Sequence, residues 1–72
     1  MRTVFLSLRG GVITGNTPDL LETKSYRIDP GCTVTLDGVA IPITDLQPGD
    51  RCVISGNPAT SIMARRAYGG WL

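Results

Sequence analysis

Apolar and polar residues alternate with a period of two along most of this chain, and that period predicts strands rather than helices. Arg2 to Leu8 sets Val4, Leu6 and Leu8 on one face and Thr3, Phe5 and Ser7 on the other, which leaves Phe5 partly exposed. Arg9-Gly10-Gly11 then turns the chain into a short second strand, Val12-Ile13-Thr14, and Gly15 to Asp19 reads as a loop. Leu20 to Ile28 predicts a third strand with no cleanly apolar face, as expected for a curved edge strand. Asp29-Pro30-Gly31 predicts a break after it. Cys32 to Leu36 alternates strictly with Thr33 and Thr35 outward, and Val39-Ala40-Ile41 returns antiparallel. Arg51 to Ser55 and Thr60 to Ala67 complete the set, with Ile62 and Ala64 inward.

The punctuation is strongest between Thr33 and Asp50. Asp37-Gly38 is a favoured pair for a two-residue type I′ hairpin, whose twist matches that of the strands it joins. Pro42 ends the return strand because it cannot donate to a ladder, and Ile43 anchors the connection to the core. Thr44 to Gln47 predicts one helical turn with Thr44 as N-cap, Asp45 at the positive helix end and Leu46 plugging the mouth of the fold. Pro48-Gly49-Asp50 and Gly56-Asn57-Pro58 supply the remaining turns. The expected fold class is all-β: a small five- to six-stranded antiparallel, partly open barrel, OB- or SH3-like, with one short helical turn. Residues 1–72 form a single domain, with 68–72 as an apolar C-terminal tail.

Composition narrows the function more by exclusion than by pointing. A formal charge of +1 announces neither nucleic acid nor an anionic membrane. Six of the seven basic residues are Arg, whose planar fork suits phosphate and protein interfaces better than Lys does. The six-residue run Thr3 to Leu8 is too short for a signal peptide, and no segment has membrane-spanning length. The expected setting is therefore cytoplasmic or within a virus-like particle, with no membrane partner. Cys32 and Cys52 both alternate with inward apolar residues, which predicts buried free thiols. Two cysteines without a histidine cannot complete a zinc site, so no metal and no cofactor is expected.

Thr33 to Gly38, Asp45 to Asp50 and Ala59 to Ala64 carry a resemblance to the DUF5666-like family of small bacterial β domains, which covers residues 12–66. The resemblance implies a small β-barrel and no assigned activity. The segment before Val12, Cys52 and the Gly-Gly-Trp-Leu end depart from the family pattern. Val39 to Cys52 is also similar to part of the Hint domains, but those need a histidine, and this chain has none.

Catalysis requires a tuned base or nucleophile. Asp29, Asp37, Asp45 and Asp50 each sit beside Pro, Gly or a cap position, where a carboxylate serves turn amides. Neither cysteine adjoins a basic cluster, so the chain is not expected to be an enzyme. Its expected role is a structural or protein-interaction module that assembles through its ends, as a homo-oligomer or a minor phage-like particle protein. Phe5, Tyr68, Trp71 and Leu72 would bind the partner, and the N-terminal strand would offer a sheet edge. The alternative is a single-stranded nucleic-acid-binding OB-like domain, with Tyr26, Arg27, Arg65 and Arg66 lining the groove.

Overall fold

The computed structural model describes residues 1–66. Six strands form one sheet: β1 (Arg2–Arg9), β2 (Val12–Asn16), β3 (Thr23–Leu36), β4 (Val39–Ala40), β5 (Arg51–Ser55) and β6 (Ala59–Arg65). A 3-10 helix at Ile43–Asp45 joins β4 to β5. The order is β2-β1-β5-β6-β3-β4, and β2 also pairs with β3, so five strands close into an OB-like ring with β4 outside it.

Two tight turns behave as their residues demand. Gly10 and Gly11 have φ of 57° and 74°, and Asp37 and Gly38 have 51° and 86°, the double positive-φ signature of type I′ hairpins. The first joins β1 to β2 at Arg9 and Val12, the second β3 to β4 at Leu36 and Val39.

Alternation fails in β1, and Phe5 is buried at 4% exposure instead of facing outward. A register shift between Phe5 and Ser7 is the reason: Phe5 lies opposite Gly15 and Ser7 opposite Thr14, so Leu6 is the extra, bulged residue. Thr3 and Phe5 face inward before the bulge and Leu8 packs on the core after it, while Leu6 is exposed. Gly15 permits this crossing. A Cβ there would lie 2.6 Å from the Val4 carbonyl oxygen and against the Thr3 hydroxyl. That hydroxyl donates to the Asn16 carbonyl at 3.0 Å, so β2 runs two residues beyond the predicted Thr14.

β3 also differs from expectation. It starts at Thr23, leaving Leu20 to Glu22 in the preceding loop, and it continues through Asp29-Pro30-Gly31. The strand bends there and exchanges partners. Thr23 to Arg27 pair with β2, while Ile28 and Thr33 to Leu36 pair with β6, with a register shift between. Pro30 is tolerated at such an irregularity because it need not donate to a ladder, and the Gly31 amide donates to Asp29 Oδ2 at 2.8 Å. The β3–β6 pair is parallel and all others antiparallel. Local alternation cannot show a pairing made across 22 intervening residues, from Leu36 to Ala59.

The helical turn is shorter than predicted and lies one residue earlier. Pro42 stands at its N-cap with no side-chain cap, so Thr44 does not cap it. Leu46 follows it, is 7% exposed and joins the core with Phe5, Ile13, Val34, Ile54 and Ile62. Ala59 opens β6 one residue before the predicted Thr60, fully buried.

Candidate functional site

The most elaborate polar cluster is structural. Arg66 donates from Nε to Asp50 Oδ1 at 2.9 Å, and from Nη2 to Asp50 Oδ2 at 2.8 Å and the Asp45 carbonyl at 3.1 Å. Asp50, buried at 2% exposure, also accepts the Gln47 amide on Oδ2 at 2.9 Å. Burial alone would raise its pKa. The Arg66 hydrogen bonds, the Gln47 amide and the Arg66 charge outweigh it and hold the carboxyl below the ordinary range. Every oxygen is thereby committed to holding the β6 end on the turn before β5. Arg66 thus acts as a tie within the fold.

The thiols are not poised for chemistry. Burial, with a smaller contribution from the Asp50 charge, pushes Cys52 up to about 12. Burial and the Asp29 charge likewise raise half-buried Cys32. Both are free. Among the described residues no group of three or more His, Cys, Asp or Glu could hold a metal ion, and no helix is long and apolar enough to cross a membrane.

Among the described residues, the sequence-predicted binding residues do not converge. Phe5 is core, and β1 is paired within the chain along its length, Arg2 to Val4 with β5 and Val4 to Arg9 with β2. Met1 extends the first pairing, its carbonyl accepting the Ile54 amide at 2.7 Å. Tyr26 stands opposite buried Ile13 and packs on the core, so it faces inward, while Arg27 beside it faces outward opposite Val12. Ile28, next to Arg27, lies against Ala59, six residues from Arg65 along β6. Arg27 and Arg65 therefore sit roughly 20 Å apart along the strand direction. Tyr68, Trp71 and Leu72 lie outside the described residues.

The register assembles a different surface on the outside of the ring. Arg2, Val53, Met63 and Thr35 stand side by side across β1, β5, β6 and β3. In the neighbouring row Val4, Arg51 and Arg65 stand side by side. Three arginines thus frame Val53 and the 45%-exposed Met63, and β1, β5 and β6 contain no acidic residue. Arg51 and Arg65 are directly opposite. Arg2 and Arg51 also make interactions of their own within the chain. Sequence reasoning missed Arg2 and Arg51. The outward parity of Arg51 was readable from inward Cys52, whereas that of Arg2 is masked by the bulge in β1, and their adjacency is a matter of strand order.

A cleft of about 620 Å³ opens between the β1–β2 turn, the β3 bend and the Ile41–Ile43 connection. Leu8, Ile28, Val34 and Ile41 line it, with Asp29 its one charged group. No protein-family model, curated protein or solved structure matches the chain.

Proposed function

We propose that the chain is a non-catalytic protein-interaction module that receives an acidic, apolar partner segment on the outer face of β1, β5 and β6. One observation carries the reading: Arg2, Arg51 and Arg65 frame Val53 and Met63 on strands that hold no carboxylate. Arg and Met are enriched at protein interfaces and Lys is depleted there, and β1, β5 and β6 hold no lysine. The guanidinium forks can grip carboxylates bidentately while Met63 adapts to apolar side chains. The thiols, both with raised pKa, and the committed Asp50 are consistent with a role that needs no chemistry.

The three arginines also favour a second reading, a single-stranded nucleic-acid binder on the same face. Stacking of bases on aromatic rings, however, is a main source of affinity in such grooves, and Phe5 and Tyr26 both face inward.

Selection of displayed random peptides on the immobilised chain tests the proposal. Enriched peptides should pair Asp or Glu with Leu-like residues and bind the Met63→Asp variant at least tenfold more weakly. No enrichment, or peptides indifferent to that change, overturns it. Fluorescence anisotropy with a short oligonucleotide decides the second reading: tight binding that weakens steeply with salt and with Arg65→Ala would replace the first.

A further inference from the structure

We infer that the occupant of the arginine-framed face is a second copy of this chain, which inserts the loop from Thr17 to Glu22. The inference rests on reading that face as a protein interface and adds the identity of the partner.

The loop is built to present leucine to solvent. Leu20 and Leu21 are 63% and 83% exposed, and Asp19 and Glu22 flank them. Hydrogen bonds within the loop fix it: Thr17 amide to the Glu22 carbonyl at 2.9 Å, Leu20 amide to the Thr17 carbonyl at 2.8 Å, Leu21 amide to Asp19 Oδ1 at 3.0 Å, Glu22 amide to Thr17 Oγ1 at 3.2 Å, and the Thr17 hydroxyl to Asp19 Oδ1. Leu20 is held at φ 63°, a left-handed conformation unfavourable for a leucine. A loop so fixed loses little conformational freedom when it docks, which favours association.

Loop and face complement one another in order and in size. The loop reads acid, leucine, leucine, acid; the face reads Arg, Val, Met, Arg. Asp19 and Glu22 are at most about 10 Å apart along the chain. Arg2 and Arg65, two strands and one row apart, are separated by about 12 Å. The apolar cleft is the competing receptor, and charge decides against it, because its Asp29 would meet Asp19 and Glu22.

Position favours a closed pair over an open chain of copies. Asn16 and Thr23, which bracket the loop, pair with each other, and Asn16 also pairs with Val4. The loop stem therefore continues the row of Val4, Arg51 and Arg65. With loop and receptor adjoining on one side, a two-fold axis places each loop on the other copy's face, an isologous contact.

Light scattering after size-exclusion chromatography, across a wide concentration range, tests the inference. The unmodified chain should reach twice its own mass. Leu21→Ser should dimerise at least tenfold more weakly while keeping the unmodified circular dichroism spectrum, since Leu21 buries little. Glu22→Lys and Arg65→Glu should each be monomeric, because each sets like charges in contact. An equimolar mixture of those two variants should recover the dimer, as both contacts in the mixed pair regain opposite charges. A monomer at all concentrations, a dimer insensitive to Leu21→Ser, or no recovery on mixing overturns the inference. If selected acidic peptides still bind through Met63 in that event, the interface reading stands and the second copy alone is excluded. If they do not bind either, both readings fall.

Discussion

Arg66 grips Asp50 through two nitrogens and two oxygens, at 2.9 and 2.8 Å, across the 16 positions that separate them in the chain. The pair joins the end of β6 to the turn before β5, while the Arg66 amide donates to Asp37 Oδ1 at 3.3 Å. One arginine therefore ties together the β3–β4 hairpin, the 3-10 connection and the last strand.

Replacing Arg66 with Ala leaves a buried carboxylate that keeps the Gln47 amide but loses its guanidinium partner, and the expected cost is about 2 kcal/mol. The pH dependence should change as well. In the unmodified protein the Asp50 pKa is lowered from 3.8, so its stabilisation is present above about pH 5 and is lost as pH falls through the folded value. Without Arg66, burial dominates and raises that pKa, so the variant should gain stability relative to the unmodified chain on acidification. Urea midpoints from pH 6 to pH 3 measure both effects; a constant difference between the two proteins contradicts the account.

Cys52 should resist thiol reagents until the protein unfolds, since it is fully buried and its thiol is pushed up to about 12. Half-buried Cys32 should modify first, and slowly. Mass spectrometry of a timed alkylation distinguishes the two. Because the folded Cys52 value lies above the unfolded one of 9.0, its contribution holds below pH 9.0 and declines as pH rises towards 12. The Cys52→Ala variant should lack that alkaline decline.

Gly15→Ala should destabilise by about 1–3 kcal/mol, because the new methyl meets the Val4 backbone oxygen as well as the Thr3 hydroxyl, and the backbone cannot turn aside. Gly10→Ala meets no atom within 4 Å and tests only the positive φ, with a smaller expected cost of about 1 kcal/mol. Thermal unfolding of the two variants side by side separates crowding from backbone strain. Equal losses would show that the β1–β2 crossing is not tight at Gly15.

Leu20→Asn should raise the stability of the isolated chain by about 0.5–1 kcal/mol, since asparagine accepts the left-handed conformation more readily. A loss of stability measured at high dilution would mean that Leu20 packs against its own chain, in conflict with its 63% exposure.

The division between what was legible and what was not follows the range of the forces involved. Hairpin chemistry at Asp37-Gly38, inward Ile62 and Ala64, the buried Leu46 and the turn-amide work of Asp29 and Asp50 are local matters, settled by side-chain parity and backbone preference over a few residues. The predicted break at Asp29-Pro30-Gly31 is a bend instead, because a strand that changes partners there needs no ladder donor from Pro30. Phe5 faces inward against its local alternation because a one-residue bulge reverses parity, and Gly15 opposite it leaves room for the close crossing.

By itself the sequence determined an all-β chain, its main turns, and which face most residues of the later strands present, since these depend on period and local conformation. Only the tertiary structure decided that β6 runs parallel to β3, that the ring closes through β2 and β3, and that Arg2, Arg51 and Arg65 share one face. Strand order is chosen by packing the whole ring around one core, and no window of the chain contains that information.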